Sequence, residues 1–293
     1  MKNRNRQLSP LDVPGLLRNH GLRPNRRLGQ NFLADDGILG RVVEVAEVGP
    51  EDEVVEVGPG LGSLTRHLAL AARAVTAVEL DRQFIPVLDE VLSGYQNVRV
   101  IQGDILKLKP GDLVRQAGYL VVANIPYYIT SALIRHLLEA TIKPARMVLT
   151  VQQEVAERIC AQPGEMSQLA LSVQVYGRPR IAARIPAGAF YPAPEVDSSV
   201  LRLDLYPAPA IPAELLDVFF QLMKAGFSQK RKTLRNTLAA GLRIGKEQAA
   251  ALLLESGIDP QRRAETLGLE EWGRLAEKYR DFSIEHTQNA ENK

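Results

Sequence analysis

The sequence predicts an α/β fold: a doubly wound, mostly parallel sheet with antiparallel last strands, followed by a small helical domain. Three observations lead to this prediction. In the first half of the 293 residues, short apolar runs alternate with amphipathic stretches; further strand-like runs then follow one another directly, and the remainder has helical spacing. Alternating strands and helices form right-handed βαβ units, which build such a sheet.

The elements of the sheet can be placed in order along the chain. Asp35-Asp36 opens the first predicted helix, and Gly49-Pro50 ends it. Five runs that are short, rich in Val, Ile and Leu and bounded by turn residues are predicted as buried strands: Glu53–Val57, Ala74–Leu80, Asn97–Gln102, Tyr119–Ala123 and Arg146–Val151. Most are separated by amphipathic stretches, as crossover helices require.

The pattern changes near Gln168, where strand-like runs follow one another with only turns and a proline-rich piece between them. They are Leu169–Tyr176, Arg180–Ile185 and Ser198–Leu205, and they predict the antiparallel end of the sheet. Three prolines between residues 207 and 212 predict a stiff linker. The predicted parts are therefore a basic arm (1–33), a sheet domain (34–206), a helical domain (207–280) and a polar, disordered tail (281–293).

The composition indicates a globular protein from a reducing compartment. Apolar residues make up 45% and charged residues 24% of the chain, and no apolar run approaches the ~20 residues that span a bilayer. Cys160 stands alone and cannot form an internal disulfide, and the basic start lacks the apolar segment of a secretory signal. We therefore expect a cytoplasmic protein without a membrane partner. Nothing in the sequence suggests a dimer interface, so we expect a monomer.

Basic residues cluster in two segments although the net charge is only +2. Residues 1–33 hold seven basic residues against one acid, and residues 218–246 hold seven against none. A polyanion such as nucleic acid would bind such segments, although solvated helix faces or loose termini would have the same charge. The candidates for phosphate contact are Lys230, Arg231, Lys232 and Arg235.

A glycine-rich loop follows the first strand of the predicted sheet. Glu56-Val57-Gly58-Pro59-Gly60-Leu61-Gly62 leads straight into a helix, and Ser63 stands where a dinucleotide-binding loop would have its third glycine. Glycines such as Gly58 and Gly60 let the backbone approach a ligand, although a plain strand-to-helix turn would also use them. The Glu56 carboxylate would repel a pyrophosphate but suits a ligand that carries an ammonium and a sulfonium group.

Acids at the next two strand ends extend this pattern. Glu79 lies about 20 residues further on, where an acid can accept hydrogen bonds from both ribose hydroxyls. Asp104 follows the third strand, within reach of an adenine amine. Either residue alone could be a surface carboxylate. A glycine loop and two acids on three consecutive strand ends together favour a nucleoside-binding edge.

The fourth strand ends in Asn124-Ile125-Pro126-Tyr127-Tyr128, which suits chemistry on an adenine amine. That amine is a weak nucleophile because its lone pair is delocalised into the ring. The carboxamide oxygen of Asn124, together with a backbone carbonyl, would accept its hydrogens and direct the lone pair to a methyl group. Tyr127 could stack on the extracted base. The alternative is a simple turn with two packing tyrosines.

Five motifs together resemble the small-subunit rRNA adenine dimethyltransferase family. They are Gln30-Asn31-Phe32-Leu33, the glycine loop at 56–62, Asn124-Ile125-Pro126-Tyr127, Phe190-x-Pro192-x-Pro194-x-Val196-x-Ser198 and residues 227–236. The resemblance runs from about Leu28 to Leu267, although Ile125 and Tyr128 differ from the residues of other members. It implies a Rossmann-like methyltransferase domain at 34–206, an arm whose last segment closes over the cofactor, and an RNA-binding helical domain.

The resemblance also implies the cofactor and the role of each matched residue. The cofactor would be S-adenosylmethionine, in contact with Asn31, Leu33, Gly58, Gly60, Glu79, Asp104 and Asn124. Asn124 would also be catalytic, and Tyr127 and Phe190 would sandwich the target base. The four histidines are scattered without metal-ligand spacing, so we predict no metal site.

The reaction implied by the resemblance is transfer of two methyl groups to N6 of each of two adjacent adenosines. These lie in a hairpin near the 3′ end of small-subunit rRNA, within the immature 30S particle. One alternative is a resistance-type methyltransferase of large-subunit rRNA, which residues 227–236 argue against. A non-catalytic assembly factor is disfavoured by the intact Glu79, Asp104 and Asn124, and a nicotinamide oxidoreductase by Ser63.

Overall fold

The computed structural model of the protein describes residues 8–25 and 28–291, with side chains up to residue 284. The chain forms two compact units, each assembled from two stretches of sequence. Of these described residues, those up to Ala156 and Pro179–Leu205 form the first unit, and Glu157–Arg178 and those from Tyr206 onwards form the second. The boundary between residues 205 and 206 lies close to the predicted linker, whereas residues 157–178 fall within the stretch that we predicted to be part of the sheet domain.

The first unit is built on a seven-stranded sheet. The strands of the chain are β1 (Phe32–Leu33), β2 (Glu53–Val57), β3 (Ala74–Glu79), β4 (Val98–Gln102), β5 (Leu120–Asn124), β6 (Arg146–Gln152), β7 (Gly177–Ile185), β8 (Phe190–Tyr191) and β9 (Ser198–Leu205). The sheet has the order β4-β3-β2-β5-β6-β9-β7, and β1 pairs with β8 separately. Strands β2 to β6 are parallel, and β9 is antiparallel to β6, which confirms the predicted fold class.

Helices occupy the connections between the parallel strands. The helices of the chain are α1 (Val13–Asn19), α2 (Asp36–Ala46), α3 (Ser63–Ala71), α4 (Ile85–Leu92), α5 (Pro110–Leu113), α6 (Thr130–Leu138), α7 (Gln153–Ile159), α8 (Gln168–Gln174), α9 (Leu216–Gly226), α10 (Leu234–Leu242), α11 (Lys246–Glu255) and α12 (Leu269–Glu291). The Asp35 carboxylate caps α2 by accepting a hydrogen bond from the Ile38 amide (2.9 Å). The apolar face of α2 packs with Val54 and Val148 of the sheet.

Helices α8 to α12 build the core of the second unit. Trp272 and Phe219 are fully buried there, and the Trp272 ring stacks on Phe227 with centroids 5.9 Å apart. The predicted helical domain is confirmed by α9 to α12.

One predicted strand is wrong. Residues 169–176 lie mostly in α8, which begins where the Ser167 hydroxyl accepts a hydrogen bond from the Ala170 amide (3.1 Å). A short apolar run is compatible with a buried strand or a buried helix, and here the buried residues Ala170, Leu171 and Val173 follow helical spacing. Residues 281–291 also differ from the predicted disordered tail: they continue α12, in a stretch free of Gly and Pro.

Four charged side chains, the arginine cluster, tie the end of α2 to β6 and β9: Glu47, Arg146, Arg202 and Asp204. Arg202 is 7% exposed; it donates to the Val45 carbonyl (2.7 Å) and pairs with Glu47 (2.7 Å) and Asp204 (2.8 Å). Arg146 donates to the Ala46 carbonyl (2.8 Å) and pairs with Asp204 (2.6 Å). Carbonyl groups at a helix C-terminus lack partners within the helix, so the two arginines stabilise this end.

We predict that Arg202→Met lowers the free energy of unfolding by about 2–3 kcal/mol, measured by urea denaturation. This is less than for a fully buried pair, because both carboxylates keep contact with solvent. The matched control is Arg41→Met, which removes an exposed pair with Glu44 and should change the stability by less than about 0.5 kcal/mol. Equal effects of the two substitutions would contradict the assigned role.

The arginine cluster also makes this contribution depend on pH. The hydrogen bond from Arg202 and the charge of Arg146 lower the pKa of Glu47. Partial burial acts to raise the pKa of Asp204. The hydrogen bonds from Arg202 and Arg146 outweigh this effect, so the pKa is lowered. A carboxylate with a lowered folded-state pKa stabilises the fold above its unfolded-state pKa, and this stabilisation is lost as the pH falls through the folded-state pKa. The difference between wild type and Arg202→Met should therefore shrink as the pH falls below about 4.

Candidate active site

A cavity opens in the first unit at the edge where the carboxyl ends of β2, β3, β4 and β5 meet. In sheets of this kind, ligands bind at that edge. The cavity has a volume of about 210 Å³. Its lining includes every residue predicted to contact a cofactor: Asn31, Leu33, Gly58, Gly60, Glu79, Asp104 and Asn124.

The glycine loop lies directly under the arm. Gly58 and Gly60 have positive φ angles of 69° and 58°, a backbone conformation that residues other than glycine rarely adopt. A Cβ atom on Gly60 would lie only 2.9 Å from the ring of Phe32. The Phe32 ring, which also contacts Phe84 with centroids 5.5 Å apart, therefore packs on bare backbone. This contact places the arm against the loop and forms one wall of the cavity.

Glu79 connects two of the loops that line the cavity. The residue is 6% exposed, and its carboxylate accepts hydrogen bonds from the amides of Gly60 (3.0 Å) and Asp81 (2.8 Å). Burial raises the pKa of Glu79, while these two amides work in the opposite direction. Each carboxylate oxygen has a second lone pair, so Glu79 can still accept hydrogen bonds from a ligand.

Glu56 presents a buried carboxyl group to the same cavity. It is 1% exposed, and its Oε2 atom has no hydrogen-bond partner among the residues that the structure describes. Burial raises the pKa of Glu56 to about 8, and the nearby charge of Glu79 adds to the shift, while the Thr65 hydroxyl opposes it. A buried carboxyl oxygen without a hydrogen-bond partner is costly, and a cationic ligand would relieve that cost.

The carboxamide of Asn124 is oriented by the arm. Its Nδ2 atom donates a hydrogen bond to the Asn31 carbonyl (3.0 Å), which leaves the Oδ1 atom as an acceptor. On the arm, Gln30 donates to the Asp81 carboxylate (3.0 Å). Asp104 accepts a hydrogen bond from the Leu106 amide (3.1 Å). The cavity therefore combines buried acids with an amide oxygen that can accept hydrogen bonds from an amine.

The two predicted aromatic residues lie in different surroundings. Tyr127 is half-buried, and its hydroxyl lies 2.6 Å from the buried Ser198 hydroxyl. Burial raises the pKa of Tyr127, which this hydrogen bond opposes. Phe190 is 5% exposed and belongs to the apolar core beside Leu33, with which it pairs between β8 and β1. The sandwich of these two rings around a base stays a prediction.

A family model described as ribosomal RNA adenine dimethylase matches residues 21–281, which span the whole cavity and the nine strands of the described residues. The chain belongs to this family. The family predicted from the five motifs is thereby confirmed.

Relatives within the ribosomal RNA adenine dimethylase family cover most of the chain. A protein of Dehalococcoides mccartyi, named ribosomal RNA small subunit methyltransferase A, is 47% identical over 266 residues, which are 90% of this chain and 91% of the relative. A protein of the same name in Pelotomaculum thermopropionicum is 45% identical over 289 residues, with coverages of 93% and 97%.

Two solved structures share the fold. The 23S rRNA methyltransferase ErmE is 29% identical with a TM-score of 0.71, and the match covers 85% of this chain and 99% of ErmE. A dimethyladenosine transferase from Plasmodium falciparum is 25% identical with a TM-score of 0.74, over 85% of this chain and 98% of that one. These similarities agree with the Rossmann-like methyltransferase sheet and the helical C-terminal region.

The basic residues predicted to bind RNA differ in their exposure to solvent in the structure of this dimethylase. Lys230, Arg231 and Lys232 are exposed between α9 and α10. Arg235 is half-buried, and its Nε atom has no hydrogen-bond partner in the described part of the chain. In the basic arm, Arg18 and Arg23 are exposed, whereas Lys2, Arg4, Arg6, Arg26 and Arg27 lie outside the described residues.

The lining of the cavity also includes residues that the sequence motifs did not predict. The cavity is also lined by Ser63 and Tyr128, and neither was predicted as a site residue. Residues 8–25 and 28–291 hold no cluster of His, Cys, Asp and Glu that could bind a metal ion. Within the same ranges, no helix is long and apolar enough to cross a membrane.

Proposed function

We propose that this dimethylase transfers methyl groups from S-adenosylmethionine to N6 of two adjacent adenosines in a hairpin near the 3′ end of small-subunit rRNA, forming N6,N6-dimethyladenosine. The observation that carries the proposal is the orientation of Asn124. Its Nδ2 atom is engaged by the Asn31 carbonyl, so its Oδ1 atom is the group that an adenine amine would meet at the cavity.

The residues of the cavity fit S-adenosylmethionine. The unpaired Glu56 carboxyl would bind a cationic group of the cofactor, and Glu79, with lone pairs to spare, would accept hydrogen bonds from the ribose hydroxyls. Asp104 would accept from the adenine amine. Apolar side chains next to these acids, those of Leu80 and Ile105, also line the cavity. When bound, the cofactor supplies a methyl group on a sulfonium, a strong electrophile.

The chain itself contributes orientation to the reaction. The Oδ1 atom of Asn124 would accept a hydrogen bond from the adenine amine, which directs the nitrogen lone pair out of the ring plane. The methylated nitrogen would then release a proton to solvent. Pro126 holds the following turn rigid because its φ angle is fixed. Tyr127, anchored at its hydroxyl by Ser198, would offer its ring to the extracted base. Orientation of this kind lowers the barrier without a general base.

Small-subunit rRNA is the favoured substrate because the relatives above 40% identity are named for it. The relatives from Dehalococcoides mccartyi and Pelotomaculum thermopropionicum carry the small subunit in their names, whereas the 23S enzyme ErmE is 29% identical. We further propose that the enzyme works as a monomer in the cytoplasm on the immature 30S particle. The exposed Lys230, Arg231 and Lys232 would contact rRNA phosphates.

The decisive experiment is transfer of labelled methyl groups from S-adenosylmethionine to small subunits that lack the modification. Large subunits serve as the parallel sample, and the labelled nucleosides are identified after digestion. We expect N6,N6-dimethyladenosine on the small subunit alone. Label on the large subunit would identify a 23S-type enzyme, and tight small-subunit binding without label would identify an assembly factor.

We predict that cofactor binding releases a proton from Glu56. With a pKa of about 8, this carboxyl group is mostly protonated at pH 7 in the free enzyme, and a bound cation would ionise it. Calorimetric titrations at pH 7 in two buffers of different ionisation enthalpy should show that wild type releases more protons than Glu56→Gln, by up to about one per cofactor bound. Equal proton release by the two proteins would mean that the cation lies elsewhere.

Asn124→Ala should reduce kcat by about 100-fold or more, because the adenine amine loses the acceptor that orients it. The affinity for S-adenosylmethionine should change little, since Glu56 and Glu79 remain. Single-turnover transfer and equilibrium cofactor binding measure the two effects separately. A variant that transfers methyl groups at the wild-type rate would exclude Asn124 from catalysis.

Replacement of Lys230, Arg231 and Lys232 by Gln should weaken rRNA binding and make it less dependent on salt. If each residue neutralises one phosphate, the slope of log K against log salt should become shallower by about 2–3. The control replaces the exposed Lys278 and Arg280 of the same unit and should keep the wild-type slope. A slope unchanged in both variants would show that residues 230–232 form a solvated surface.

A further inference from the structure

Tyr128 presents an exposed aromatic ring at the cavity that contains Asn124. The residue is 58% exposed, the highest value among the aromatic residues whose side chains the structure describes. It lies in the single 3-10 turn, Tyr127–Ile129, that follows Pro126. Asn124, Pro126 and Tyr128 all line the same cavity. The ring therefore shares a cavity with the reactive amide and is open to solvent.

The backbone on both sides holds the Tyr128 ring in place without covering it. The turn is closed by a hydrogen bond from the Ile129 amide to the Pro126 carbonyl (3.2 Å), and α6 begins at the next residue. On the arm side, a Cβ atom on Gly29 would lie 3.7 Å from the ring, so the ring lies against the arm backbone. A ring fixed in this way loses little entropy when a ligand stacks on it.

Packing within the protein does not explain this tyrosine. The neighbouring Tyr127 is half-buried and bonded to Ser198, whereas the Tyr128 hydroxyl makes no hydrogen bond with the part of the chain that the structure describes. A single exposed tyrosine elsewhere on the surface would need no explanation. At a site that acts on a nucleobase, an exposed aromatic ring suits an unpaired RNA base, because proteins bind such bases by stacking them on aromatic rings.

We propose that Tyr128 is a substrate-binding residue that stacks on an unpaired base of the RNA, next to the adenosine being methylated. This inference rests on the proposed function. The cofactor is a less suitable partner for the ring, because the groups that suit it are the buried acids Glu56 and Glu79, which are 1% and 6% exposed. Apolar side chains for a cofactor base are already present at Leu80 and Ile105.

The test compares Tyr128→Ala and Tyr128→Phe with wild type and with Tyr206→Ala. Tyr206 is a matched control because it is 40% exposed and does not line the cavity. The measurements are kcat and KM for RNA at saturating S-adenosylmethionine, the Kd for RNA, and the Kd for S-adenosylmethionine without RNA. Stacking predicts that Tyr128→Ala lowers kcat/KM about tenfold, equivalent to roughly 1.4 kcal/mol, mainly through KM. Tyr128→Phe and Tyr206→Ala should behave like wild type.

Three results would overturn the proposal. Wild-type kinetics in Tyr128→Ala would show that no base stacks on the ring. A matching loss of S-adenosylmethionine affinity would show that the ring covers the cofactor. Equal losses in Tyr128→Phe and Tyr128→Ala would assign the effect to the hydroxyl group. If wild type itself methylated no RNA, the proposed function would fail, and the RNA affinities of wild type and Tyr128→Ala would still decide whether the ring binds a base.

Discussion

The site depends on the hydrogen bonds that the carboxylate of Glu79 accepts. It accepts hydrogen bonds from the backbone on both sides of the cavity, at Gly60 in the glycine loop and at Asp81 beyond β3. The ring of Phe32 packs against Gly60, and the Asp81 carboxylate accepts a hydrogen bond from Gln30. Both residues that donate to Glu79 are therefore also in contact with the arm. One buried carboxyl group thus positions the loop and the segment of chain that lies over it.

The arm also connects the cofactor side of the cavity to its reactive side. The carbonyl of Asn31 fixes the amide of Asn124, and the strand that begins at the next residue pairs with β8. The same few residues therefore contact the glycine loop, the catalytic candidate and the strand that carries Phe190. Because these contacts share one short segment, a displacement of the arm would change the cofactor site and the orientation of Asn124 together.

Much of this arrangement was predictable from sequence because parallel strands place their ends at one edge. Seven of the eight predicted strands form, and the seven residues predicted for the cofactor line one cavity. The apolar run at 169–176 could not be assigned by pattern, since a short buried helix and a buried strand have the same composition. Strands β1 and β8, with two residues each, have no periodicity to detect. The unpaired state of Glu56 and the exposure of Tyr128 depend on tertiary packing, which a linear pattern does not contain.

The division of the chain into two interleaved units has a consequence for its biosynthesis. The antiparallel partner of β6 is β9, and the ribosome makes the stretch that contains α8 between them. During translation, one edge of β6 therefore stays unpaired until β9 has been made. The apolar face of α8 stays exposed for longer, until α9 to α12 have been made. Neither core can close before distant sequence emerges, so the nascent chain exposes strand edge and apolar surface that aggregation or chaperones can engage. Removing everything after residue 205 would make that exposure of α8 permanent, so the sheet unit is not a simple N-terminal fragment.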